Sequence, residues 1–282
     1  MRIQLQSSAR TAGAATGSLS RRVMWINADR VLYVGLLGEP SVRCLGALSI
    51  YLSLHQPHRI RVGEGAWEQT CMSVVPPHVP HRIVATERMI CNMSIEPETV
   101  DTQALPGYLR TVRGAVPAHG ITQDMRGALV RVLDGGLDGF SCTADFDRAF
   151  FGAALPARVM DRRVRAVIER IKNDPNGHIS GQECADAAHL SVSRFLHLFK
   201  SEAGSSFRSF RSWQRARCLL YHVKREASLV NIALDAGYPD STHFSHSIRQ
   251  FYGLTPKSIF AGSRNLTLYG GGAAGALGHA FN

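Results

Sequence analysis

Near the C-terminal end, the chain contains Ile232-Ala233-Leu234-Asp235-Ala236-Gly237-Tyr238-Pro239-Asp240-Ser241-Thr242-His243-Phe244, and Phe251-Tyr252-Gly253-Leu254-Thr255-Pro256 follows. Apolar residues recur at helical spacing on both sides of Gly237. A glycine placed after the last periodic residue commonly ends a helix. The segment is therefore typical of two short helices joined by a tight turn, which is a helix-turn-helix unit.

A degenerate copy of this unit lies upstream, at about Ser180 to Ala203. Ser180 and Glu183 form a capping box that opens its first helix. Ser191 caps its second helix, and small alanines in both units allow the paired helices to cross closely. The copy predicts that residues 161–262 form an all-α domain with two helix-turn-helix units.

A long helix is predicted between the two units, from Ser206 to Glu226. A helix of that length spans roughly 31 Å, and one turn of DNA is roughly 34 Å. Such a spacer can place two recognition helices in successive major grooves. Double-stranded DNA is therefore the predicted partner.

Outward residues near the start of each recognition helix are predicted to meet base edges, because arginine, hydroxyl and small apolar groups match base patterns in the major groove. They are Ser193, Arg194, Leu196, His197, Ser241, Thr242, His243, Ser245 and His246. Basic residues farther from the helix starts are predicted to contact phosphates. They are Lys200, Arg208, Arg211, Arg215 and Arg249.

Composition agrees with this prediction. The 282 residues carry a net charge of +10, which favours a polyanionic partner. Six scattered cysteines without a CxxC pair indicate reduced thiols in a cytoplasmic protein. No apolar run is long enough to span a membrane.

These residues resemble the AraC/XylS family of bacterial transcription regulators over about Asp161 to Gly262. The resemblance is carried by Leu190-Ser191, Phe199-Lys200, Gly204, Arg215-Ala216, Leu219-Leu220, Ile232-Ala233, Gly237-Tyr238, Asp240, Phe244, Gly253 and Thr255-Pro256. His197 and His246 stand where the family often has arginine, Ile248 where it usually has phenylalanine, and Ala261 where arginine is usual. These departures affect the preferred DNA sequence rather than the fold.

The N-terminal half has short apolar runs separated by Gly, Pro and Asn clusters, which indicates a small barrel or sandwich of strands. The family resemblance implies an α+β protein: a cupin-like small β-barrel at 22–102, a helical dimerisation or linker region at 103–160, and the DNA-binding domain. Residues 1–21 and 263–282 are predicted to be disordered and flexible ends. Residues 1–21 also have the composition of a transit peptide, but a frayed bacterial N-terminus is preferred.

The resemblance further implies an activator that responds to a small-molecule effector, forms a homodimer and contacts RNA polymerase. Ile121, Met125, Leu129 and Val132 lie on one helical face, which forms either a dimer seam or the packing surface against the chain's own barrel. Arg59, Arg61, Arg82 and Trp25 are weaker candidates for effector contacts.

Two alternative functions remain at this stage. One is a regulator controlled by a protein partner without a ligand. The other is a cupin-type metalloenzyme fused to a DNA-binding module, since His55, His58, His78 and His81 form two HxxH pairs. Those segments contain prolines and lack the HxH pattern of metal-binding cupins. We therefore expect no metal, no cofactor and no enzymatic activity.

Overall fold

The computed structural model describes residues 21–224 and 228–270. Its N-terminal half is built on strands, and its C-terminal half on helices. Ten strands are present in these residues: β1 Val23–Ile26, β2 Arg30–Leu36, β3 Leu48–Leu52, β4 His58–Val62, β5 Glu68–Thr70, β6 Met72–Val75, β7 His81–Ala85, β8 Met89–Ile95, β9 Gly114–Ala115 and β10 Thr267–Tyr269. No helix among the described residues is long and apolar enough to cross a membrane.

Seven strands form a large sheet in the order β10-β1-β2-β8-β3-β6-β9. Its pairs are antiparallel except β1 with β10, which is parallel. Both faces of this sheet are covered. On β1, for example, Trp25 packs into the core shared with the N-terminal helices, whereas Met24 packs toward the C-terminal half. Burial on both faces explains why these strands are continuous apolar runs in the sequence.

A smaller sheet, in the order β5-β4-β7, packs against part of the large one. Tyr51 and Val75 of the large sheet meet Ile60 and Ile83 of the small sheet in one apolar cluster. In the described residues the strands form two separate sheets, with no hydrogen-bonded ring that closes into a barrel. The α+β class is confirmed, but the closed form of the predicted cupin-like barrel is not seen.

The described part of the N-terminal half also contains three α-helices, α1 Gly107–Thr111, α2 His119–Gly135 and α3 Thr143–Phe151, with β9 between α1 and α2. The apolar face of α2 packs into the chain's own core against the large sheet. Met125, Leu129 and Val132 are buried there, and Ile121 is half-buried beside them. The face predicted to form either a dimer interface or an intramolecular packing surface is therefore buried within one chain, which agrees with the intramolecular alternative.

Where the structure describes it, the C-terminal half consists of seven helices: α4 Arg162–Asn173, α5 Gly181–Ala187, α6 Val192–Ala203, α7 Phe207–His222, α8 Leu229–Asp235, α9 Ser241–Tyr252 and α10 Pro256–Gly262. The α5–α6 unit shares a core with α4, and the α8–α9 unit has a separate core on α7. The spacer helix α7 has 16 residues, shorter than predicted, and spans about 24 Å.

The sequence predicted a flexible tail at 263–282, but the first part of this segment is ordered. Leu266 is buried, and β10 pairs in parallel with β1 from Val23↔Thr267 to Trp25↔Tyr269. The two halves are thereby joined at both ends of the helical region. Residues 1–20 and 271–282, predicted to be disordered, lie outside the described residues.

Candidate DNA-binding surface and effector cavity

The turn of the first helix-turn-helix unit is fixed by backbone hydrogen bonds and caps. Leu190 N donates to Ala185 O at 2.9 Å, and Ala185 is fully buried where the helices cross. His189 adopts a φ of 53° in this turn. The Ser180 and Glu183 side chains form the predicted capping box, and the Ser191 hydroxyl accepts from Arg194 N. These local contacts explain why the sequence predicted this unit correctly.

The second unit repeats this geometry. Tyr238 N donates to Ala233 O at 3.0 Å, and Gly237 supplies the positive φ, 69°. The Asp240 carboxylate caps α9 by accepting from Thr242 N and His243 N. Phe244 and Ile248 anchor α9 inward, as Phe195 and Phe199 anchor α6 (the anchors belong to two separate cores). Each unit thus directs one face of its second helix away from the protein.

The predicted base-contacting residues lie on those outward faces. Seven of the nine are exposed, and the other two, Ser241 and Ser245, are half-buried. His243 already has an acidic neighbour, since its Nδ1 lies 2.8 Å from Asp240 Oδ2. The described part of the N-terminal half, residues 21–160, does not cover either face, so both faces are accessible to DNA in this arrangement.

The predicted phosphate contacts fall into two groups. Lys200, Arg208 and Arg249 are exposed. Arg211 and Arg215 are half-buried and hold the turn after α4: Arg211 Nη2 donates to Gly177 O at 3.3 Å, and Arg215 Nε donates to Pro175 O at 3.1 Å. The three exposed side chains are free to contact phosphates, whereas Arg211 and Arg215 already stabilise the turn after α4.

Buried charges join the DNA-binding half to the N-terminal half. The carboxylate of Glu96, just after β8, lies 2.9 Å from Arg217 Nε on α7. Trp213 Nε1 donates to the same carboxylate at 2.9 Å. Burial of Glu96 raises its pKa to about 7. Lys172 of α4 makes a second connection, 2.6 Å from Glu98 and 3.0 Å from Asp29.

A cavity of about 500 Å³ lies between the large sheet and the helical half, where α7, α10 and the end of α9 form its wall. Its sheet side includes Met24, Tyr33 and Ile90, and its helical side includes Leu220 and Ile259. Its walls are mainly apolar. Because both halves contribute walls, a molecule bound here contacts both of them.

The predicted effector residues do not line this cavity. Trp25 is 1% exposed and packs against Phe140 and Phe146 in the core on the other face of the sheet. Arg59 and Arg61 lie over the ring of Trp67, at 5.1 and 5.6 Å, on the small sheet. Arg82 lies opposite Arg61 in the neighbouring strand.

The sequence analysis missed the cavity residues. Arg43 lies between β2 and β3, Tyr33 on β2 and Trp213 on α7, so these residues are far apart in the chain. The one local feature that could have drawn attention to Arg43 is that it is the only charged residue between Pro40 and Ile50. That pattern alone does not predict a cavity.

The histidines of the HxxH pairs occupy separate environments. His58 lies between the hydroxyls of Ser53 and Ser73, at 2.8 and 2.9 Å, and is buried. His81 Nε2 lies 2.8 Å from the Tyr51 hydroxyl, and its Nδ1 lies 2.9 Å from Val79 O. Burial lowers the pKa of both rings to about 4. Within the described residues no group of three His, Cys, Asp or Glu side chains is arranged to hold a metal ion.

Comparison with known proteins agrees with the geometry of the C-terminal half. Residues 184–261 match the family model of a helix-turn-helix domain. The chain is 25% identical over 100 residues to the HTH-type transcriptional activator RhaS of Mannheimia succiniciproducens. The matched segment covers 35% of this chain and 37% of RhaS. The chain is also 28% identical over 71 residues to the invasion protein InvF of Salmonella typhi, and this matched segment covers 25% of the chain and 33% of InvF.

The match thus spans about a third of the length of these relatives. The chain carries a helix-turn-helix domain of the AraC type, and the predicted resemblance to the AraC/XylS family is confirmed for this domain.

Solved structures show a similar fold over most of the chain. The structure of ToxT from Vibrio cholerae with bound unsaturated fatty acid has a TM-score of 0.55 at 11% identity, and it covers 86% of this chain and 98% of that one. Another ToxT structure, from strain O395, has a TM-score of 0.53 at 8% identity, with 84% and 100% covered. At this identity the likeness shows the fold, a sheet-based N-terminal half followed by a helical C-terminal half.

Proposed function

We propose that this chain is a sequence-specific DNA-binding transcriptional regulator, an activator whose N-terminal half responds to a small-molecule effector. The observation that carries the proposal is the pair of helix-turn-helix units, each with its recognition face exposed. The match to an activator, RhaS, supports the activating role. The protein is cytoplasmic in this proposal, and it acts through RNA polymerase.

The DNA contacts of the proposal come from α6 and α9. Arg194 and His197 of α6, with Thr242 and His246 of α9, are exposed and meet base edges. Lys200, Arg208 and Arg249 neutralise phosphates. Arg211 and Arg215 already donate to backbone carbonyls, so they contact phosphates only through their remaining N–H groups. Residues 161–262 are the DNA-binding domain, 22–102 the sensor, and 103–160 the helical region between them.

The effector in this proposal is a largely apolar small molecule in the cavity between the two halves. The volume and the apolar walls of that cavity support this assignment. The ToxT structure that contains an unsaturated fatty acid supports it as well. The sensor retains a cupin-like architecture only in the sense of two facing sheets, without a closed barrel.

The mechanism is a shift between arrangements of the two halves. The helical half forms one wall of the cavity through α7, α10 and the end of α9, so a ligand that fits one arrangement of the halves better than another stabilises it by its difference in affinity. The orientation of α9 relative to α6 then changes, and with it the fit to two successive grooves. A homodimer remains part of the proposal, with a surface other than the buried face of α2.

Control by a protein partner is the second candidate function. The exposed face of the small sheet favours it, because Arg59, Arg61 and Arg82 have no acidic partner in the described part of the chain. A surface of this kind suits an acidic protein segment.

Selection of bound fragments from genomic DNA, followed by footprinting, tests the DNA-binding proposal. We expect a protected site that covers two adjacent major grooves, with affinity that falls steeply as salt rises. Binding that shows no sequence preference at physiological salt would contradict it. Repeating the selection with a metabolite extract separates the two candidates: a small-molecule fraction changes the bound set in the first, and only a protein fraction does so in the second.

A further inference from the structure

The cavity contains a buried positive charge without a counter-ion. Arg43 is 7% exposed and lines the cavity between the two halves. Its Nε atom has no hydrogen-bond partner. Within the described residues, its guanidinium has a long hydrogen bond from Nη2 to Leu37 O, at 3.5 Å, and a hydrogen bond to the neutral Tyr51 hydroxyl, but no carboxylate partner. A buried charge without a partner costs several kcal/mol or requires a ligand.

Arg43 differs in this respect from the other buried cations that the structure describes. Arg30 pairs with Asp147 at 2.8 Å, and Arg217 pairs with Glu96 at 2.9 Å. Lys172 pairs with both Glu98 and Asp29. Each of these cations therefore has a carboxylate, whereas Arg43 has none within ion-pair distance among residues 21–224 and 228–270.

The buried polar groups beside Arg43 are neutral, and the one carboxylate among the lining residues, Glu39, is exposed and pairs with Arg88. Tyr33 and Tyr51 line the same cavity. Burial raises the pKa of Tyr33 to about 12, so its phenol stays protonated at neutral pH, and the pKa of Tyr51 is also raised by burial. His81 bonds to Tyr51 and is neutral at the same pH, because burial lowers its pKa. These neighbours cannot neutralise the arginine, and their donors are already used: the Tyr33 hydroxyl donates to Leu36 O, the Tyr51 hydroxyl donates to His81 Nε2, and His81 Nδ1 donates to Val79 O.

The backbone holds Arg43 rigidly in this position. Arg43 N donates to His81 O at 3.0 Å, and His81 N donates to Arg43 O at 3.0 Å, which joins the loop to the start of β7. The adjacent Cys44 N donates to Phe251 O of α9 at 2.9 Å. The backbone that carries the guanidinium is thus held between the sensor sheets and the second recognition helix.

We infer that Arg43 binds the anionic group of the effector, so that the ligand is an apolar monoanion with one carboxylate at Arg43 and its apolar part along Met24, Ile90 and Leu220. The inference rests on the proposed effector role of the cavity. A guanidinium pairs with a carboxylate through two parallel hydrogen bonds. The cavity supplies one buried cation and mainly apolar walls, so neutral lipids and polyanions fit it poorly.

The test uses the purified, delipidated full chain with matched acids and alcohols: octanoate, dodecanoate and hexadecanoate against the corresponding primary alcohols. Binding is followed by calorimetry and by tryptophan fluorescence, since Trp213 lines the cavity. We expect at least one acid to bind, and to bind about tenfold to a hundredfold more tightly than its alcohol. Equal affinity for acid and alcohol, or no binding by any of the acids, would overturn the inference.

The variant Arg43→Met removes the charge and keeps most of the side-chain volume. It should lose the preference for the acid and leave the affinity for the alcohol unchanged. Without ligand, its melting temperature should equal or exceed that of the wild type, because an unpaired buried charge has been removed. A lower melting temperature together with an unchanged acid preference would show that Arg43 has a structural role only.

Arg131→Met is the matched control. Arg131 is an exposed arginine on α2 and does not line the cavity. Its loss should change acid binding less than about threefold, because a distant exposed charge is screened by salt. If acid binding fails in the wild type while site-specific DNA binding persists, the inference about Arg43 is wrong and the DNA-binding part of the proposed function stands.

Discussion

The three histidines of the recognition helices are not equivalent. His243 lies against the Asp240 carboxylate that caps α9, so one ring nitrogen is already engaged. His197 and His246 are exposed, and neither makes a hydrogen bond within the described residues. These two rings are therefore the ones free to bond to a base or a phosphate, at positions where the family often has arginine.

Replacing His197 or His246 with alanine should change the affinity for the selected DNA site by about threefold to thirtyfold, which is the range for one lost base contact. Folding should be unaffected, because both side chains are on the surface. Fluorescence anisotropy with the selected site measures the first effect, and thermal unfolding measures the second. His119→Ala, an exposed histidine on α2, is the control. Unchanged DNA affinity in both variants would show that the outward faces have been assigned wrongly.

Replacing Lys200 or Arg249 with alanine should weaken specific and non-specific DNA binding about equally. Each exposed cation that neutralises one phosphate contributes roughly 0.9 to the slope of log affinity against log salt. A salt titration of each variant should therefore show a flatter slope. Arg131→Ala removes an exposed arginine from α2 and should leave the slope unchanged. A loss of affinity for the selected site alone would move the residue to the base-contacting set.

At the scale of the element, the turn of the second unit combines two constraints on one residue. Gly237 has a φ of 69°, and a Cβ there would lie 3.0 Å from Cα of Asn176 in the turn after α4. The same turn is held by Arg211 and Arg215 from α7. The glycine therefore ends a helix and also lets two units with separate cores approach each other.

Gly237→Ala should destabilise the protein more than Gly204→Ala does. Both glycines have a positive φ, which costs an alanine about 1 kcal/mol, but a Cβ at Gly204 meets no atom within 4 Å. At Gly237 the contact with backbone adds to that cost, for a total of about 2 kcal/mol or more. Denaturant unfolding of the two variants gives the comparison. Equal losses of stability would mean that the Asn176 turn moves away at little cost.

At the scale of the whole molecule, the two halves are joined by buried charges and by a cavity. Glu96, Arg217 and Trp213 connect the sheet to α7, which also carries the core of the second helix-turn-helix unit. Removing one partner of a buried pair leaves the other charge uncompensated. The interface therefore resists separation while still containing room for a ligand.

The pKa of Glu96, raised to about 7 by burial, gives the interface a pH dependence. A carboxyl whose pKa is higher in the folded state contributes stability that is present at low pH and lost as the pH rises through about 7. The free energy of unfolding should fall between about pH 5 and pH 7.5, at up to about 1.4 kcal/mol per pH unit.

Denaturant titrations across that pH range should show a flatter dependence for Glu96→Gln than for the wild type. Glu64→Gln, in an exposed loop, should keep the pH dependence of the wild type. An identical slope in Glu96→Gln and the wild type would show that Glu96 stays ionised beside Arg217.

The sequence predicted the two helix-turn-helix units because their signals are local: caps at Ser180 and Ser191, a turn at Gly237 and anchors at helical spacing. The cavity could not be predicted this way. Arg43, Tyr33 and Leu220 meet only after the large sheet has packed against the helical half. Trp25 and the apolar face of α2 were ambiguous for a similar reason, since a buried face and a binding face have the same pattern in the sequence.

The parallel pairing of β10 with β1 makes the helical half an insertion between strands of a single sheet. A module held at both ends searches a smaller volume than one on a single linker, so its effective concentration at the sheet is high. Opening of the interface is then a rotation of the helical half about its two attachments to the sheet, not a separation of the two halves. In the proposed function, the effector needs to change only the angle between the two halves to alter which DNA sites the two recognition helices reach together.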